Sequence, residues 1–307
     1  MIECVRFVSG AMPILMVGDS NAIIYEGLLF ECPELFAQPF VTYSAFCRGL
    51  MAANFTDATG RLNADVLAAL FLHTAVIGSD ASWCALHVPY AQLRPEAQRV
   101  ELARLRHRWK VPANEPVDSR PIAILAGTLD LEAILRTLPA GCDFALQDRR
   151  FAVSDRFERA VGPYVPAQLV NDLIADRLKP LALGLRAMRD AGLDNVYLHS
   201  LHPPPVEDYM YAKMRGVNTQ AVLRYKVALT INAHFRALCD REQVRFLDMW
   251  SATTRDGRLD PRFEFDGDHL NQAAAELSVR TLIADLATRA LPKKRELGEL
   301  AREQPAG

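Results

Sequence analysis

The stretch Pro13-Ile14-Leu15-Met16-Val17-Gly18-Asp19-Ser20-Asn21 decides the fold. Its first five residues are unbroken by a polar side chain, and they end on a glycine. A strand with one wet face alternates apolar with polar residues, whereas a continuous apolar run suits a strand covered on both faces of a parallel sheet. Working outward, the same signature returns in Ile122-Ala123-Ile124-Leu125-Ala126, ended by Gly127. It returns again in Asn195 to His199, halted by Pro203-Pro204-Pro205, which cannot continue a ladder, and in Val244 to Met249. Phe40 to Tyr43, preceded by Pro39, is a further strand candidate. Helices are predicted between and around them, over Asn21–Phe30, Asn63–His73, Arg94–Trp109, Val165–Ala191, Asn218–Arg241 and Gln272–Leu291. Apolar strands alternating with long helices predict an α/β fold, a three-layer α/β/α sandwich with a mostly parallel central sheet. In such sheets, ligands gather beyond the carboxyl ends of the strands.

The bulk numbers agree with one large domain. The chain has 307 residues, 50% of them hydrophobic and 23% charged, an ordinary globular mixture with ample material for a core. We expect a domain over residues 1–292 with a helical insertion around 90–120, and a flexible tail over 293–307. The net charge of −2, from 35 basic and 37 acidic residues, leaves no electrostatic footprint for nucleic acid or an anionic membrane. Lys293, Lys294 and Arg295 are too few, and too close to Glu296 and Glu299, to change that. No apolar run reaches the roughly 20 residues of a membrane span, and Met1 to Val17 lacks the pattern of a signal peptide. The six cysteines (Cys4, Cys32, Cys47, Cys84, Cys142 and Cys239) form no Cys-x-x-Cys and no metal-ligand spacing. They read as small buried hydrophobes in a reducing, cytoplasmic compartment. No Gly-x-Gly-x-x-Gly or Gly-x-x-x-x-Gly-Lys loop is present, so no nucleotide cofactor is expected.

Chemistry enters where the first strand ends. Ser20 stands at a strand-to-helix turn, which presents its hydroxyl at the sheet edge and its own N–H to a developing oxyanion. The same position also suits a plain helix cap. A serine nucleophile needs a base, and the base needs a carboxylate to fix its tautomer. Near the other end of the chain, Phe265-Asp266-Gly267-Asp268-His269-Leu270-Asn271 offers both, with Asp266 and His269 three apart in a short loop. Asp268 is assigned instead to capping the last helix.

Taken together, these two ends resemble the SGNH/GDSL hydrolase family, in which Gly-Asp-Ser follows the first strand and Asp-x-x-His precedes the last helix. The order Ser20, Asp266, His269 matches, and the resemblance spans roughly residues 12 to 290. It implies a Ser-His-Asp triad working through an acyl-enzyme, with no metal or organic cofactor. It also implies oxyanion donors after the second and third strands. Gly49 is the best match for the first of these. The second falls on Gly127-Thr128-Leu129-Asp130, where leucine replaces the family's asparagine and only Gly127 and Asp130 match. This is similar to a subgroup carrying Gly-Glu-x-Asp, often found near bacterial polysaccharide genes. From that subgroup comes the expectation of an ester hydrolase acting on a small O-acyl group, carried by a sugar or another small polar molecule. Two rivals use the same residues differently: acyl transfer to another hydroxyl, and a non-catalytic carbohydrate-binding scaffold on a decayed hydrolase fold. Oligomeric state is left open.

Three further features carry alternatives. His199 and His202, after a strand, could ligate a metal, line the substrate mouth or sit in the core. Arg224 and Lys226 could grip an anionic substrate or belong to a charged helix face. Asp130 could bond within the site's loops or cap the turn that follows it.

Overall fold

The computed structural model describes residues 11–63, 65–67, 69–70, 120–146, 162–266 and 269–290. Its centre is β1 (Met12–Gly18), buried at every position. β1 runs parallel to β3 (Phe40–Phe46) on one side and to β4 (Ile122–Leu125) on the other. β5 (Val196–His199) and β6 (Arg245–Leu247) extend the parallel sheet, while β2 (Leu29–Phe30) adds an antiparallel edge beside β3. The six-stranded order is β2-β3-β1-β4-β5-β6.

The two faces of β1 show why its run had to be apolar throughout. Leu15 and Val17 enter one core, built with α1 (Thr128–Thr137), α2 (Ala167–Asp190) and α4 (Ala221–Glu242). Ile14 and Met16 enter the other, with Ala275, Val279, Leu282 and Ile283 of α6 (Gln272–Ala290). Helices on both faces of a mostly parallel sheet make the three-layer α/β/α sandwich expected from the sequence. Because the chain steps from β1 to β3 and then back across β1 to β4, the strand order reverses at the β1/β4 junction. That junction is the crevice where such sheets bind ligands.

Some expectations are corrected. The helix expected over Asn21–Phe30 is a short 3-10 helix, η1 (Ser20–Tyr25), followed by a turn at Glu26-Gly27 and the edge strand β2. Gly27 has φ of 69° and cannot continue a helix, and Leu29 and Phe30 pair with Val41 and Phe40 instead. Several elements were not anticipated: α3 (Asp208–Arg215), the short helix α5 (Trp250–Thr253), and the small hairpin of β7 (Thr254–Arg255) and β8 (Arg258–Leu259) that follows it. Cys32, Cys47, Cys142 and Cys239 are free and buried, while Cys4 and Cys84 lie outside the described residues. So do the Arg94–Trp109 helix, residues 90–119 of the expected insertion, and the 293–307 tail. Among the described residues no helix is long and apolar enough to cross a membrane.

Candidate active site

Gly18 ends β1 hard against β4. A Cβ there would lie 2.6 Å from the Leu125 carbonyl oxygen and 2.7 Å from Leu125 Cβ, so only glycine lets the two strand ends run side by side. Asp19 then caps η1, its carboxylate accepting from the Asn21 main-chain N–H and from Asn21 Nδ2, each at 3.0 Å. Burial pushes the Asp19 carboxyl pKa up, and the two Asn21 bonds pull it back. The turn leaves Ser20 half-exposed at the carboxyl edge of the sheet.

His269 reaches Ser20 from the far end of the chain. Its Nε2 lies 3.2 Å from Ser20 Oγ across 249 residues of sequence. The other ring nitrogen, Nδ1, lies 2.9 and 3.1 Å from the two carboxylate oxygens of Asp266. A carboxylate accepts only, so Nδ1 carries the proton and donates it to Asp266. That leaves a lone pair on Nε2 facing the serine hydroxyl. Asp266 Oδ1 also accepts the His269 main-chain N–H at 2.8 Å, which holds the three-residue turn closed.

The loop is stapled beneath this turn. The Phe265 N–H donates to the His269 carbonyl at 2.9 Å, and the Asn271 N–H to that of Phe263 at 2.9 Å. Asn271 Nδ2 donates to the carbonyls of Arg262 and Glu264, at 2.8 and 3.2 Å. Asn271 Oδ1 accepts from the Ala274 N–H at 3.2 Å, so Asn271 caps α6. Asp268, expected to do so, lies outside the described residues. Asn271 stands in the Asp266–Asn271 motif, but its capping role was not anticipated from the sequence. Its signal was its place one residue before a helix start, where asparagine is a preferred cap.

The remaining expected residues fall into two groups. Gly127 follows β4 at the carboxyl end of the sheet, joining it to α1 with φ of 109°. A Cβ on it would lie 2.9 Å from Phe235 Cζ. Gly49 is exposed with φ of 72° and open space around it, a turn conformation suited to glycine. Asp130 is fully buried, and its carboxylate oxygens are engaged by other segments of the chain. It accepts from the N–H groups of Ala52 (2.6 Å) and Ala53 (3.2 Å), with Arg177 Nε 3.4 Å away. Its carboxylate ties the segment after β3 to α1 and α2.

His199 is buried with both ring nitrogens engaged. Nδ1 donates to the Ser200 carbonyl at 2.6 Å, and Nε2 lies 3.1 Å from Ser278 Oγ and 3.3 Å from Tyr25 Oη. Burial lowers its pKa to about 4, so the ring is neutral and both nitrogens serve the fold. Arg224 is fully buried, donating to the carbonyls of Pro205, Val206 and Thr219 and to Asp208. Lys226 donates to Asp143 and to the Phe144 carbonyl. Both cations hold loops in place rather than facing the crevice.

Beside the Ser20–His269 pair lies a cavity of about 20 Å³. Asp19, Asn21, Ala126, Thr128, His202 and Leu270 are among its walls. It sits where β1, β4 and β5 end, next to Asp19 and Asn21, which flank Ser20, on one side and Leu270, which follows His269, on the other.

Compared with known proteins, the chain matches no family model and no curated sequence. It is similar in structure to a GDSL-like lipase from Bacteroides thetaiotaomicron (TM-score 0.41, 12% identity, 94% of this chain and 93% of that one). It is also similar to a lipase/acylhydrolase from Enterococcus faecalis (TM-score 0.39, 13% identity, 92% and 98%). A third likeness is to a carbohydrate acetylesterase from Sinorhizobium meliloti (TM-score 0.37, 13% identity, 91% and 98%). These are distant likenesses, and the reading of the site rests on its own geometry.

Proposed function

We propose that the protein is a serine ester hydrolase using Ser20 as nucleophile, His269 as base and Asp266 as the supporting acid. The observation that carries this is the continuous chain from Ser20 Oγ through the His269 ring to the Asp266 carboxylate, at 3.2 and 2.9 Å. Separations of this size are within reach of proton transfer. In the first step the Ser20 oxygen bonds to the ester carbonyl carbon as its proton passes to His269 Nε2. The resulting imidazolium is held against Asp266 and returns the proton to the leaving alcohol. Water, deprotonated by His269, then releases the acid from the acyl-enzyme. Every group needed for these steps belongs to the chain, and none is a metal or organic cofactor.

The substrate in this reading is a small O-acyl ester, the acyl group being of acetyl size and its carrier a sugar or comparably polar alcohol. That assignment rests on the subgroup resemblance, and the cytoplasmic setting on the scattered cysteines, those among the described residues being buried and unpaired. Hydrolysis is favoured over acyl transfer because His269 and Asp266 keep 29% and 37% of their side-chain surface open to water. The test is labelling with a fluorophosphonate, with hydrolysis of p-nitrophenyl acetate as the parallel assay. Wild-type protein should be modified on Ser20 and should turn over the ester. Ser20→Ala should do neither while keeping its melting temperature. Turnover by Ser20→Ala at the wild-type rate refutes the assignment.

A further inference from the structure

When Ser20 attacks an ester, the carbonyl oxygen becomes an anion, and a donor must already face the place where it forms. The polar side chains in the crevice beside Ser20 are mostly committed. The Asp19 carboxylate only accepts. The two N–H bonds of the Asn21 amide go to Asp19 Oδ1 (3.0 Å) and to Thr128 Oγ1 (3.2 Å), and its buried Oδ1 can only accept. Both nitrogens of His199 are engaged. Asp130 is turned toward Ala52 and Ala53, and Leu129 carries no donor.

Thr128 differs from all of these. Its oxygen already accepts from Asn21, so its own proton is directed elsewhere, and among the described residues no group accepts it. It lines the cavity beside Ser20 and a second small cavity adjoining it, and is half-exposed. It stands three residues past Leu125, and Ser20 two residues past Leu125's register partner Gly18, so both lie just beyond the carboxyl ends of adjacent strands. It is also the first residue of the ten-residue α1, at the helix end that favours negative charge. The Asn21 contact adds to this, because a hydroxyl that accepts a hydrogen bond becomes a better donor.

We propose that the Thr128 hydroxyl is the side-chain donor to the oxyanion, alongside the Ser20 main-chain N–H; this rests on the reading of Ser20 as nucleophile. In the step concerned, the Ser20 Oγ–carbon bond forms, the Ser20 proton moves to His269 Nε2, and the carbonyl π electrons move onto oxygen. That oxygen accepts the Thr128 O–H. Collapse restores the carbonyl, breaks the bond to the leaving alkoxide, and sends the His269 proton to it. Asn21 is then a positioning residue, holding the Thr128 oxygen so that its proton faces the substrate.

The test compares Thr128→Val, which keeps the shape and loses the hydroxyl, with Thr128→Ser, which keeps the hydroxyl. Both are assayed as full-length protein on p-nitrophenyl acetate. Thr128→Val should lose about 100-fold in kcat with KM within about two-fold, as for removal of one oxyanion donor. Thr128→Ser should stay within a few-fold of wild type. Thr128→Ala gives the same comparison should the valine variant fold poorly, with melting temperature as the check. Equal losses in the valine and serine variants would make the role one of packing and overturn the proposal. So would a valine variant with wild-type kcat in a protein that Ser20→Ala inactivates. A wild-type protein that neither turns over the ester nor takes the fluorophosphonate label would instead overturn the hydrolase reading beneath it.

Discussion

Replacing Asp266 by asparagine and by alanine separates two things a carboxylate does for its histidine. The first is electrostatic: as His269 takes the serine proton it becomes a cation beside Asp266. At a charge separation of about 4 Å and an effective dielectric between about 20 and 80, that pairing stabilises the transition state by about 1 to 4 kcal/mol. The partial exposure of both groups argues for the lower half of that range. Asp266→Ala removes this term and lets water accept the Nδ1 proton, so kcat should fall by about 10- to 100-fold. Asparagine does something further. Its amide can turn an N–H toward Nδ1, which moves the ring proton to Nε2, where it faces Ser20 and leaves the base no lone pair. The expected fall is therefore larger than for alanine, approaching about 10⁴-fold. Steady-state kinetics on p-nitrophenyl acetate for Asp266→Asn, Asp266→Ala and Asp268→Asn decide it, with Asp268→Asn expected close to wild type. A crippled Asp268→Asn beside a nearly normal Asp266→Asn would show that the acid has been misassigned.

Two other predictions concern the scaffold. Gly127→Ala forces a side chain into φ of 109° and a Cβ to 2.9 Å from Phe235; a loss of about 2 kcal/mol or more in urea unfolding is expected, and a loss below about 0.5 kcal/mol would refute the strain argument. His199 titrates at about 4 when folded, against 6.5 for a free imidazole. The unfolded chain therefore takes up its proton first, and stability falls as pH drops from about 6.5 to about 4, by at most about 3 kcal/mol. Urea unfolding of wild type and His199→Gln across that range should show a steeper loss in wild type, and parallel slopes would remove His199 from the account.

The sheet was legible because its strands are buried on both faces, so β1, β4 and β5 announce themselves as apolar runs whatever their neighbours are. The edge strand β2 was not. Leu28, Leu29 and Phe30 have no period of their own, and only pairing with Phe40 and Val41 makes two of them a strand. Helix α3 was hidden for a related reason: its eight residues bury only Tyr211 fully, too little to print a stripe on the sequence. At the site, Ser20, Asp266 and His269 were readable because each sits at an element boundary with a motif around it. The work of Asn21 and Thr128 depends on a contact between residues 107 positions apart, and no local pattern encodes that. Asp130 was readable as a polar residue near the site but not as one engaged by the Ala52 and Ala53 N–H groups. Its direction follows from where Ala52 and Ala53 lie in the folded chain.

The distance between Ser20 and His269 is set by packing more than by the loops that carry them. Ser20 follows directly from β1, whose Ile14 and Met16 lie in the same apolar cluster as Ala275, Val279, Leu282 and Ile283 of α6. His269 stands three residues before that helix, and Asn271 binds the helix start to the 262–264 segment through three carbonyls. A polar tie reinforces the cluster: Ser278 of α6 meets His199 at the end of β5, and His199 meets Tyr25 of η1, the turn that begins with Ser20. Both ends of the chain thus register on one buried surface. A shift of α6 along the sheet would move His269 relative to Ser20 even with the loop's own hydrogen bonds intact. Close-packed cores resist such shifts, because side chains seated at crystal-like density have no intermediate positions to slide through. Residues of the α6 core face therefore help to set the Ser20–His269 geometry from a distance.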